Sequence, residues 1–98
     1  MSNVGIAGTG AYVPSLAVTN DDISELVETN DEWIMKRTGI RERRISQGED
    51  TSDMASKAAL CALERADVDP RDVDLIIVAT ISPDMIIPSV ACLVQSKI

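Results

Sequence analysis

Val73-Asp74-Leu75-Ile76-Ile77-Val78-Ala79-Thr80 is a run of apolar and β-branched residues that does not alternate with polar ones. A half-solvated strand alternates with period two, whereas a strand covered on both faces reads as one hydrophobic run. Burial on both faces is the mark of a parallel sheet with helices on either side, so this stretch directs the reading to an α/β protein. The preceding segments agree. Asp67-Val68-Asp69-Pro70-Arg71-Asp72 is a turn, and before it Thr51 or Ser52 caps a long helix running to about Ala66. Ala55, Ala59, Ala62 and Ala66 form a small-residue stripe on that helix, widened by Met54, Ala58, Leu60 and Leu63, and small side chains allow a close neighbour. Val4 to Val13 is a second apolar run, punctuated by glycine and stopped by Pro14. Strand, helix and strand in that order make a right-handed parallel crossover.

Gly8-Thr9-Gly10 in the first strand has the start of a dinucleotide-binding fingerprint, but Val13 stands where the third glycine belongs and Pro14 where the helix should begin. Glycine there is better explained by close approach of another backbone. After the second strand, Ser82-Pro83-Asp84-Met85-Ile86-Ile87 is a loop, and Pro88 is placed to open a final helix through Ala91, Leu93 and Val94. A buried strand needs neighbours on both sides and this sequence supplies one pair, so residues 1–98 are expected to be the first part of a larger fold.

At 98 residues the chain is one small domain at most, or a piece of one. Hydrophobic residues make up 45%, but with no Phe, one Tyr and one Trp the core must be built from Ala, Val, Ile and Leu. That suits helices packed closely on a sheet. A net charge of −7 argues against wholesale binding to nucleic acid or an anionic membrane, so any anion recognition must be local. Cys61 and Cys92 are too few for a disulfide framework or a zinc site, which points to a reducing cytoplasm. Neither a leader sequence nor an apolar stretch of about 18 residues is present, so a soluble protein without an anchor is expected.

The local anion site is offered by Thr29-Asn30-Asp31-Glu32-Trp33-Ile34-Met35-Lys36-Arg37-Thr38-Gly39-Ile40-Arg41-Glu42-Arg43-Arg44. It holds the single Trp and, from Lys36 to Arg44, five of the nine Lys and Arg residues. Upstream, Asn20 is placed to cap an amphipathic helix in which Ile23, Leu26 and Val27 share a face to about Glu28. Thr29 or Asn30 then caps a second helix, which Gly39 ends; with Thr29 as cap, Glu32 completes a capping box. Trp33 and Arg37 are four apart and share a face, an arrangement suited to stacking a base beside a guanidinium; an indole used only for packing is the other reading. Ile40 to Ile45 is extended, so Arg41 and Arg43 point one way, Glu42 and Arg44 the other. The basic patch therefore cannot converge on one ligand, and its last three arginines are either a solvated, ion-paired edge or contacts for an acidic partner.

Thr29 to Ile34 followed by Arg37-Thr38-Gly39-Ile40-Arg41-Glu42-Arg43 resembles the signature of β-ketoacyl-acyl-carrier-protein synthase III, a condensing enzyme of the thiolase superfamily. Gly8 to Pro14, Asp74 to Thr80 and Pro88-Ser89-Val90-Ala91-Cys92 resemble it in position and order, so the likeness covers the whole chain. The resemblance implies an incomplete N-terminal portion of a thiolase-like fold, with parallel strands and crossover helices. It implies a decarboxylative Claisen condensation of acetyl-CoA or another acyl-CoA with malonyl-acyl-carrier protein, initiating fatty acid biosynthesis in a homodimeric enzyme. Trp33 resembles the indole that stacks on the CoA adenine, Thr29 and Arg37 the polar partners of that nucleotide, and Ile87 the residue that shapes the partner subunit's acyl pocket. The CoA thioester is substrate; no cofactor or metal is implied.

The family nucleophile lies beyond the last helix of this sequence, and Cys92 matches a non-catalytic position. There is no His, so a Cys–His pair cannot form within the chain and no catalytic residue is assigned to it. The rival readings are a non-catalytic module for CoA or nucleotides, a carrier-protein interaction surface, and a related ketosynthase of secondary metabolism.

Overall fold

The computed structural model describes residues 3–98, which group into two units: residues 13–48, and residues 3–12 together with 49–98. In the first, Leu16–Thr19 (β1) pairs antiparallel with Glu42–Ile45 (β2), Leu16 opposite Ile45 and Thr19 opposite Glu42. Between them run two short helices, Asn20–Ser24 (α1) and Asp31–Thr38 (α2). The cap of α1 is Thr19 rather than Asn20: its hydroxyl accepts from the Asp22 amide at 3.2 Å, and the Asp22 carboxylate accepts from the Thr19 amide at 2.9 Å. Asn20 is drawn inside instead, because its carboxamide makes three hydrogen bonds in a buried position. It donates to the Asp31 carboxylate at 2.7 Å and the Ile40 carbonyl at 2.8 Å, and accepts from the Arg43 guanidinium at 2.8 Å. The helix also stops four residues earlier than Glu28, since the Leu26 and Val27 amides both turn back on the Ile23 carbonyl.

Of the two candidates for the α2 cap, the structure selects Asn30, whose side chain accepts from the Trp33 amide at 2.8 Å. That makes Trp33, not Glu32, the third helical position, so the Thr29–Glu32 capping box does not form. Asp31 and Glu32 in the first turn and Lys36 and Arg37 in the last complement the helix dipole. Gly39 closes the helix in the left-handed region at φ 70°, its amide reaching the Met35 carbonyl at 2.8 Å.

In the second unit, Thr51–Ala66 (α3) is capped by Asp50, one residue ahead of the expected Thr51 or Ser52. Thr51 and Ser52 are free to turn their hydroxyls elsewhere, as described below. The glycines of the first apolar run lie on the alanine stripe of α3. A Cβ at Gly8 would stand 2.7 Å from the Ala62 carbonyl oxygen, and one at Gly10 closer still to that of Ala58. Backbone approach, not nucleotide binding, accounts for both. A short 3-10 turn at Pro70–Asp72 precedes the second apolar run, and Val90–Lys97 (α4) packs on α3 with Val90 and Val94 buried. Its cap is Ser89, which accepts from the Cys92 amide at 3.3 Å, so Pro88 stands outside the helix rather than at its first position.

Neither apolar run forms a paired strand: among the described residues, the strand pairing is that of β1 with β2. Leu75 and Ile77, expected to be covered on both faces, are 74% and 82% exposed. The pattern of a buried strand is present, yet the described residues provide no strand to lie beside it and satisfy its edges.

Candidate functional site

Helix α2 presents Trp33 and Arg37 one turn apart, and the Arg37 guanidinium carbon lies 4.2 Å from the indole centroid. The ring is 51% exposed, an unusual state for the largest apolar side chain of the sequence. Packing did not claim it: the buried residue of α2 is its neighbour Ile34. Trp33 instead forms one wall of a cleft of about 540 Å³, lined also by Ile23, Val27, Glu28, Thr29, Asn30 and Ile34. The lining combines apolar contacts from α1 and α2 with polar atoms of the segment that joins them.

Thr29 gives the cleft its clearest polar feature. Displaced from the capping role by Asn30, its hydroxyl oxygen is buried and has no hydrogen-bond partner. Such an atom costs free energy until a donor or acceptor reaches it, by about 1–3 kcal/mol. The structure thus brings Thr29 and Trp33 to one cleft, with Arg37 stacked on the indole. Chemically, the arrangement offers a flat π surface, a guanidinium stacked on it, an apolar floor and one unpartnered hydroxyl. This suits a planar heterocycle carrying anionic groups.

Arg43 and Arg44 of the basic patch are engaged in the fold. Arg43 bonds to the Val18 carbonyl at 3.1 Å and to Asn20. Arg44 reaches the Pro14 carbonyl at 3.1 Å and lies 3.7 Å from Glu42, a pair that strand alternation places on one side. Ile87 belongs to the second unit, on the loop before α4, and is 83% exposed. Cys92 is exposed and receives the Ser89 hydroxyl at 3.2 Å. Among the described residues, no group of His, Cys, Asp and Glu could hold a metal ion, and no helix is long and apolar enough to cross a membrane.

Sequence reasoning passed over Asn20 and Asp84. Asn20 reads as a cap because Asn favours caps, and nothing local marks it as a buried hub. Asp84 is a lone carboxylate in the apolar loop Pro83-Asp84-Met85-Ile86-Ile87, which was a usable signal. Its oxygens accept from the Ser52 amide at 2.8 Å and the Ser52 hydroxyl at 2.5 Å. Hydrogen bonding by that hydroxyl holds the Asp84 carboxyl below its ordinary value.

No protein-family model matches the chain. It is 72% identical over all 98 residues to the β-ketoacyl-acyl-carrier-protein synthase III of Clostridium beijerinckii, and 57% identical over 94 residues to that of Xylella fastidiosa. The match covers 30% of the first relative and 29% of the second, so the chain spans about a third of the curated relatives. Among solved structures, the 3-oxoacyl-acyl-carrier-protein synthase III of Aquifex aeolicus superposes with a TM-score of 0.91 at 50% identity, covering 94% of this chain and 30% of that one. The priming β-ketosynthase of the R1128 polyketide pathway gives 0.88 at 34% identity, covering 94% and 28%. In sequence over its whole length, and in fold, the chain is therefore a relative of the β-ketoacyl-acyl-carrier-protein synthase III enzymes, corresponding to their N-terminal third and to an incomplete thiolase-like α/β fold.

Proposed function

We propose that the chain supplies the CoA-binding entrance of a β-ketoacyl-acyl-carrier-protein synthase III, which condenses acetyl-CoA or another acyl-CoA with malonyl-acyl-carrier protein to start fatty acid biosynthesis. The observation that carries this reading is the exposed Trp33–Arg37 stack beside a cleft holding the unpartnered Thr29 hydroxyl. In it, the adenine stacks on Trp33, Arg37 faces the phosphate-bearing side of the nucleotide, and Thr29 takes a polar atom of the base or ribose. Ile87 contributes to the acyl pocket of the second subunit in a cytoplasmic homodimer, and the acyl carrier protein is the macromolecular partner. Residues 1–98 act as one part of a thiolase-like domain and contribute no catalytic group, the nucleophile being supplied from outside them. The thioester is a substrate, and no resident cofactor or metal is involved.

The fold is shared with a priming polyketide ketosynthase, so fold does not choose the pathway; the 72% identity to the Clostridium relative supports the fatty-acid starter. Because the chain has one Trp, its fluorescence reports the site directly. CoA is expected to quench Trp33, and Arg37→Ala to weaken that binding roughly tenfold, the scale of one charge-assisted contact plus its cation–π pair. The quenching is expected to persist at moderate salt, since stacking is screened far less than exposed charge. A folded chain whose fluorescence CoA leaves unchanged would remove this reading.

A further inference from the structure

The loop of residues 81–88 presents a mechanical question. Its apolar side chains do not anchor it: Ile86 is 91% and Ile87 83% exposed, and Ile81 and Met85 also face solvent. Among the described residues, no hydrogen bond between main-chain groups holds it either. Its position is set by side chains from the first turn of α3. Thr51 donates its hydroxyl to the Ser82 carbonyl at 2.6 Å, and Ser52 donates both amide and hydroxyl to the Asp84 carboxylate. Ser52 is fully buried, and the Lys97 amine at the end of α4 donates to its hydroxyl oxygen at 2.7 Å and to Asp53 at 2.6 Å. The Ser52 hydroxyl, accepting from Lys97 and donating to Asp84, is thus polarised in one direction, which shortens and strengthens both bonds.

We infer that Asp84 is a positioning residue: clamped to Ser52, it fixes the loop that carries Ile87 and so sets where that side chain is presented. The inference rests on the proposed role of Ile87 for its consequence, acyl-primer selection. The clamp itself is independent of that role and is measured without CoA, so the failure of one is distinguishable from the failure of the other. An alternative account makes Asp84 merely a surrogate cap of α3, in which case its loss weakens the helix and leaves the loop unaffected.

A nitroxide attached at Ile87→Cys, in a chain with Cys61→Ala and Cys92→Ala, separates the two. The clamp requires restricted nitroxide motion in the otherwise unaltered loop, slower than for the same label at Gln47 in the 46–48 turn. Asp84→Ala is expected to narrow the spectrum at position 87 severalfold in correlation time, with far-ultraviolet circular dichroism of the helices retained. Asp84→Asn keeps one oxygen for the Ser52 amide and is expected to give an intermediate mobility; it decides the matter if the Ala variant fails to fold. A label at 87 that is already as mobile as at Gln47 in the parent chain overturns the inference, whatever the variants do. So does an unchanged spectrum in a folded Asp84 variant.

Discussion

Asn20 shows how much one side chain can hold. Its carboxamide ties together the start of α1, the Asp31 carboxylate at the start of α2, the Ile40 carbonyl and Arg43 of β2, and it is almost wholly shielded from water. Removing it leaves buried donors and acceptors unpaired, so Asn20→Ala should destabilise the unit by about 2 kcal/mol. For a chain of this size that corresponds to a fall in melting temperature of roughly 8–16 °C, read by thermal circular dichroism. An unchanged transition would show that water replaces the amide without loss. Arg43, joined to the same amide, is accordingly scaffold, whereas Arg37 is joined to an exposed ring and remains available to a ligand. The difference between these guanidiniums lies in what faces them, not in residue type.

Helix α3 is the element on which the second unit is assembled, and two of its surfaces are tested separately. Its alanine stripe leaves no room for a side chain at Gly10, where a Cβ would meet the Ala58 carbonyl and the Ala62 amide. Gly10→Val should therefore force the first apolar run away from α3 and cost about 1–3 kcal/mol, measurable by urea unfolding; a variant as stable as the parent would mean the contact yields freely. At its N-terminus, Asp53 is held below its ordinary value chiefly by the Lys97 amine, Asp84 by the Ser52 hydroxyl, and Lys97 is raised by Asp53. A carboxyl lowered by folding stabilises the fold at pH above its unfolded value, here 3.8, and that contribution disappears as pH falls through the folded value. The amine, raised by folding, contributes below its unfolded value of 10.5 and is lost only at higher pH. Stability is thus expected to be flat across neutral pH and to drop below about pH 4, with Lys97→Met blunting the acid limb; a transition centred near pH 6 would contradict it.

At the scale of the whole molecule, the buried apolar residues among those described are few: Ile34 in one unit, Val90 and Val94 in the other. Against them stand Val4, Ile6, Leu75, Ile77, Ile86 and Ile87, all largely open to solvent. A self-sufficient monomer rarely leaves a contiguous apolar surface larger than a few hundred Å² open to water. The 98-residue chain on its own should bind the dye ANS strongly and show a sedimentation coefficient that rises with concentration. A silent dye and a constant coefficient would mean that the exposed residues are scattered too widely to act together.

Periodicity, capping chemistry and glycine placement are local, and the sequence alone determined what depends on them: the helices α2, α3 and α4 to within a residue or two at most of their ends, the shared face of Trp33 and Arg37, and the close approach of Gly8 and Gly10. The likeness to β-ketoacyl-acyl-carrier-protein synthase III was equally legible, because its motif is a contiguous string from Thr29 to Arg43. Only the tertiary structure decided which of several capable side chains took each role. Thr19 displaced Asn20 as a cap, Asn30 displaced Thr29, and Asp50 displaced Thr51 and Ser52. Each displaced residue was then drawn to a partner far along the chain or, for Thr29, left with a buried, unpartnered hydroxyl. The same applies to Val73–Thr80. An apolar run states that a strand would gain by burial on both faces, but a ladder needs a second strand in register, and that neighbour is not written in the run itself.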